Sequence, residues 1–193
     1  MKNKGQESMP VELLLGVTIL TFVVTIGFYS YRQVCATQYD HKVRAGLDRL
    51  SRVMEQAYQG GVGTRPPAIT LDTSVPPGCE VGFESVRLVD GPSDACEANI
   101  GKEECIMAVA VSVDQRGDRY VAARSYIDIP RGVIVEMEDF DVNCRADHSE
   151  IYDPEEDFDS DDHCGWGQGT FSVQVTKERS AGRDEIVIER LGN

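Results

Sequence analysis

The sequence predicts an α+β fold: one long N-terminal helix packed on an antiparallel β-sheet head stapled by disulfides. Three observations carry this. Leu13 to Tyr31 is a run of 19 residues without a charge. From Val34 to Ala57 apolar residues recur mostly every three or four positions, the period of a one-faced helix. Beyond Gly78 the texture changes to β-branched alternation between turn residues, and all six cysteines lie after the charge-free run.

At a helical rise of ~1.5 Å per residue, the charge-free run spans roughly 28 Å, close to the hydrocarbon core of a bilayer. It has no polar face. Lys2 and Lys4 precede it, which favours a cytoplasmic N-terminus with the rest of the chain outside. A secretory signal would be shorter and end at a small-residue cleavage site after the apolar run. Here the small-residue cut candidate, Gly5–Gln6, comes before it. Cleavage there would leave the apolar helix as the mature N-terminus.

The segment Lys4-Gly5-Gln6-Glu7-Ser8, followed by Glu12-Leu13-Leu14 and then apolar residues, resembles the class III signal peptide of archaeal type IV pilin-like proteins. The resemblance covers about 30 residues and the helix-then-strands layout. It implies a membrane prepilin peptidase cutting between Gly5 and Gln6. It also implies a glutamate that meets the N-terminal amine of a neighbouring subunit. The family pattern is Gln-x-Ser-x-Glu. This chain keeps Gln6 and Ser8, has Pro10 at the glutamate position, and carries Glu12 two residues on. A carboxylate beside an apolar helix is costly unless paired or near the interface. Glu12 is therefore either an assembly residue or a solvated group at headgroup level. Pro10 sits in the first helical turn, where a missing N–H costs least.

The helix is expected to run on through Val34, Tyr39, Val43, Leu47, Leu50, Met54 and Ala57 as a buried stripe. Asp40–Arg44 and Asp48–Arg52 form i,i+4 pairs on the wet side, beside a surface His41, and Gly60-Gly61 stops the helix. No proline interrupts Val11 to Gln59. One helix of 49 residues, ~74 Å long, is expected. Two helices broken near Tyr29 to Tyr31 are the alternative. The chain then divides into a leader at 1–5, a transmembrane or filament-core helix at 6–31, its amphipathic continuation at 32–60, and an extracellular β-rich head at 61–193.

In the head, Gly60 to Gly78 reads as a loop with a short edge strand at Ala68 to Leu71. Strands follow at Glu80 to Val89 and, well buried, Cys105 to Asp114. The latter pairs with Arg119 to Ile129 as a hairpin. Pro130-Arg131-Gly132 turns into a strand at Val133 to Val142. Gly169 to Lys177 and Glu185 to Leu191 make a last hairpin about Ser180-Ala181-Gly182. The turn at Arg116-Gly117-Asp118 matches a cell-adhesion tripeptide, but hairpin geometry accounts for it. Trp166-Gly167-Gln168-Gly169-Thr170 suggests a β-bulge.

Six cysteines allow 15 connectivities, and outside the cell disulfides persist. Local spacing favours Cys96–Cys105 and Cys144–Cys164, and Cys35–Cys79 would then tie helix to head. Asp153 to Asp162 holds seven acidic residues in ten. Asp157, Asp159 and Asp161 have the spacing that opens a calcium loop, with Asp162 beside them. Asp162 and Gln168 stand where an EF-hand has glycine and glutamate, so the choice is between a hydrated acidic loop and a structural calcium site. Cys144, His148, His163 and Cys164 lack the spacing of a zinc set. No other cofactor is expected.

Formal charge is −14, and 28 of the 33 acidic residues but only 12 of the 19 basic ones lie beyond Gly60. A head this acidic repels nucleic acid and anionic lipid, and suits solubility in salt, or cations. No catalytic motif appears, so an enzyme is not expected. Two classes of function remain. One is a structural subunit of a surface filament, whose helices bundle with further copies or other pilin subunits after leader cleavage. The other is a domain tethered in the cell membrane by a single pass, which binds outside and never polymerises.

Overall fold

The computed structural model describes residues 8–79, 81–114, 116–130, 133–138, 144–146 and 165–191. Helix α1 runs unbroken from Ser8 to Gln59, 52 residues, so the break near Tyr29 to Tyr31 is absent. Helix α1 ends as Gly60 N–H donates to the carbonyl of Gln56 at 3.2 Å. The Lys177 ammonium donates to the carbonyl of Tyr58 at 2.8 Å and lies 4.7 Å from the Tyr58 ring. A cation there satisfies an orphan carbonyl and complements the negative end of the helix dipole.

Nine strands follow among the described residues: β1 (Ile69–Asp72), β2 (Gly82–Asp90), β3 (Ile106–Val113), β4 (Arg119–Ile127), β5 (Ile134–Glu138), β6 (Cys144–Ala146), β7 (Gly165–Trp166), β8 (Thr170–Ser180) and β9 (Arg183–Leu191), with a short helix α2 (Ser93–Ile100) between β2 and β3. They form two sheets, in the orders β1-β8-β9-β5-β6 and β4-β3-β2-β7. The expected single antiparallel sheet is corrected in two ways. The head has two sheets, and β5 pairs with β9 in parallel. After β4 the chain leaves the four-stranded sheet, and β5 takes the edge of β9 not taken by β8; the long stretch of sequence between β5 and β9 leaves room for the crossover that a parallel pair needs. The expected turn at Pro130-Arg131-Gly132 lies partly outside the described residues.

Helix α1 touches β3 and β4 of one sheet and β1, β8 and β9 of the other. Tyr39, Val43, Leu47, Leu50, Met54 and Ala57 are buried against both, joined by Val53. Val34 is not part of this stripe, being 53 % exposed; Cys35 takes the first position instead. Cys35 lies one turn before Tyr39, and its disulfide to Cys79 holds it against the head. The core is completed by Leu71, Val86, Ile106, Ile127, Met137, Trp166, Val175 and Ile188, among others. In β3, Ile106, Ala108 and Ala110 face this core while Met107, Val109 and Val111 form a second buried cluster with Val89. A strand covered on both faces reads as a continuous apolar run, as this one does.

Among the described residues the Asp40 and Asp48 carboxylates form no ion pair with Arg44 and Arg52; the Arg52 guanidinium donates instead to the Asp48 backbone carbonyl at 3.1 Å. Each carboxylate accepts a hydrogen bond from β4: Asp40 from the Tyr120 hydroxyl at 3.5 Å, Asp48 from the Ser125 hydroxyl at 3.0 Å. The helix lies close enough to β4 for short carboxylates to reach across. The string from Trp166 to Thr170 is also no bulge. It carries the chain from β7 in one sheet to β8 in the other.

Two disulfides are formed, Cys35–Cys79, the pair left over to tie helix to head, and Cys96–Cys105, a pair favoured by local spacing, with Cα separations of 5.8 and 5.7 Å. The second sits directly over Gly91, where a Cβ would lie 2.5 and 2.6 Å from the two sulfurs. Only glycine fits that close approach. Cys144 has its backbone in β6. Its side chain and Cys164 lie outside the described residues.

Candidate functional site

Two features of α1 stand outside the packed head. The first is its N-terminal half. From Val11 to Tyr31 fourteen large apolar side chains are each more than half exposed, with Leu13 at 73 % and Phe22 at 68 %. At ~1.5–3 kcal/mol for each such side chain buried, covering them is worth on the order of 20–40 kcal/mol. That exceeds the ~5–15 kcal/mol net stability of an ordinary domain. A soluble monomer does not carry such a surface bare. The segment is long and apolar enough to cross a membrane, and none of it is buried in the protein.

Its threonine hydroxyls are satisfied internally. The hydroxyls of Thr18, Thr21 and Thr25 donate to the carbonyls of Leu14, Val17 and Thr21 at 2.8, 2.8 and 2.7 Å. Back-bonding of this kind removes the cost of placing a hydroxyl in a medium without water. Glu12 is exposed near the start of the helix. Gly5 and Gln6 lie outside the described residues, as do Asp157, Asp159, Asp161, Asp162, His148 and His163. Among the described residues no group of three or more His, Cys, Asp or Glu is arranged to hold a metal.

The second feature is the neck, where the apolar half of α1 meets the head. A notch of about 430 Å³ opens here between α1 (Tyr29, Arg32, Gln33) and the β3–β4 hairpin (Asp114, Arg116, Tyr120). The hairpin turn is built by Asp114, whose carboxylate accepts the N–H groups of Arg116 at 2.7 Å and Asp118 at 2.9 Å, with Gly117 at φ 87°. That is an Asx-type turn closed by a glycine in the left-handed region. The Arg32 guanidinium lies 4.3 Å from the centre of the Phe28 ring. The Cys35–Cys79 bridge clamps the loop after β1 to the same stretch of helix.

A polar seam rises from the notch into the head. The Tyr39 hydroxyl donates to the carbonyl of Thr73 at 3.2 Å. Burial, and then the neighbouring Tyr120 and Asp40, push the Tyr39 phenol well above its usual range. Burial and Asp40 push the Tyr120 phenol up to about 12. Asp40 itself is raised by burial, against the hydrogen bond from Tyr120 and the charge of His41. Beside it Lys42 pairs with Asp72 at 2.8 Å. Burial raises the Asp72 pKa, but hydrogen bonds from Lys42 and Ser74 outweigh it and hold the carboxyl at about 2.

The sequence points to Arg32 as the first charge after the apolar run. It does not point to Arg116 or Tyr120, which only the hairpin brings alongside. Comparison with known families, curated proteins and solved structures finds no match to this chain.

Proposed function

We propose that the protein is the structural subunit of a type IV pilus-like surface filament of archaeal kind. Its apolar half-helix sits in the membrane until the leader is removed, and then bundles with the same segment of other copies. The observation that carries this reading is the division of one unbroken helix. Its second half is sealed into the head, while its first half offers apolar side chains on every side. Bundling replaces lipid contact with protein contact. It needs the helices themselves and no further ligand, and the back-bonded threonines suit either setting. The resemblance of Lys4 to Leu14 to a class III signal peptide supports cleavage between Gly5 and Gln6. It also supports a role for Glu12 at the amine so created.

The test is N-terminal sequencing of protein recovered from membranes and from sheared surface fractions. A chain beginning at Gln6 in the sheared fraction supports the filament. An intact Met1 found only in membranes would replace it with a tethered domain that never polymerises.

A further inference from the structure

We infer that the solvent side of α1's second half is a docking face for a second copy of this chain, and that it takes the acidic α2 end of the neighbour's head. This rests on the filament reading above and adds to it the contact made by the heads.

Arg44, Arg49 and Arg52 fan across that side of the helix, all exposed. Among the described residues none of the three forms an ion pair, and Arg52 reaches only the backbone carbonyl of Asp48. The neighbouring carboxylates are turned to β4 and the chain just beyond it: Asp48 accepts the Ser125 hydroxyl and Glu55 the Asp128 N–H, each at 3.0 Å. This cationic face runs against the trend of the chain, which beyond Gly60 has 28 acidic residues to 12 basic. Heads of that charge repel one another when crowded. The arginine face of α1 offers a neighbouring head a surface of opposite sign.

Helix α2 and the loop after it supply the counterpart. Glu97, Glu103 and Glu104 are exposed there, and among the described residues none of them forms an ion pair. The Cys96–Cys105 bridge closes this stretch, so its carboxylates stand on a braced loop and less freedom is lost on docking. Lys102 of the same loop pairs with Asp128 at 3.9 Å. The Asp128 N–H is the one that Glu55 accepts, which sets the α2 end of the head level with the last turns of α1. In a parallel bundle of these helices a stagger of roughly 10 Å, about seven residues of helical rise, brings that end of one head beside the arginines of the next copy.

The experiment measures, in cells making the full chain, the share of chains that passes from the membrane into the sheared surface fraction. Arg49→Glu is expected to lower that share about fivefold, and so is the pair Glu103→Lys with Glu104→Lys. Combining all three changes should restore most of it, because the signs again match. Arg49→Gln, which removes the charge without reversing it, should lower the share about twofold. These side chains are exposed, so the variants keep the wild-type melting temperature. An unchanged share in either reversal, with wild-type filaments present, overturns the docking face alone. A fall in both with no recovery in the combined variant overturns the α2 end as its occupant, and with it the proposal. Wild-type chain that stays wholly in the membrane overturns the filament reading and the docking face together.

Discussion

The hydroxyls of Ser51 and Ser125 meet at 2.7 Å in the buried seam between α1 and β4. The Ser125 hydroxyl in turn donates a hydrogen bond to the Asp48 carboxylate at 3.0 Å, so a chain of three polar groups ties the helix to the sheet inside an otherwise apolar contact. Ser51→Ala is expected to cost about 1–2 kcal/mol, since Ser125 keeps its partner Asp48. Removing both hydroxyls should cost less than the two single changes together. A double-mutant cycle by urea denaturation of the disulfide-intact chain should give a coupling of about 1 kcal/mol. Simple additivity would refute the chain.

Thr73 joins three parts of the fold. Its hydroxyl lies within 3.0–3.1 Å of the carbonyls of Gly167 and Gly169 and accepts the N–H of Gly169 at 3.0 Å, while its own carbonyl takes the Tyr39 hydroxyl. Thr73→Val keeps the shape and leaves buried polar groups unpaired, so a loss of about 1–3 kcal/mol is expected. Thr73→Ser should recover most of it. Equal melting temperatures for the valine and serine variants would contradict this role.

Asp72 ties stability to acidity. Its folded pKa, about 2, lies below the ordinary carboxyl value of 3.8. The stabilisation is therefore fully present above pH 4 and is lost as pH falls through about 2. The carboxylate is 40 % exposed, so after solvent screening the effect amounts to about 0.5–1 kcal/mol. Lys42→Met should bring the Asp72 titration, followed by carboxyl NMR, back toward the ordinary range and flatten this part of the acid limb.

The two disulfides differ in the length of chain they close, 44 residues for Cys35–Cys79 and 9 for Cys96–Cys105. Loop-closure entropy makes the first worth about 4 kcal/mol and the second about 2.5 kcal/mol. The double alanine variant at 35 and 79 should therefore melt lower than that at 96 and 105. The reverse order would mean that native contacts, rather than the unfolded chain, set their worth.

What the sequence disclosed was what is local. The apolar rod, the stripe from Tyr39 to Ala57, the stop at Gly60 and both hairpins follow from periodicity and turn residues. Cys35 was hidden because cysteine at a stripe position reads as a disulfide partner, while Val34 next to it reads as core. Helix α2 is short and polar, with only Cys96 buried, so its hydrophobic period is too weak to register. Its C-terminal signal, Gly101 in the left-handed region, was there to be read. The parallel β5–β9 pair, the division into two sheets and the approach of Arg116 to Arg32 depend on which strand finds which edge. No single window of sequence contains that information.

One helix of 52 residues, ~78 Å of continuous rise, belongs to two environments without a linker between them. It therefore acts as a lever. Any tilt imposed on the bare apolar end swings the whole head through a proportionate arc. Cys35–Cys79 sets the fulcrum, because below that staple the rod is free to lean while above it rod and head must turn as one.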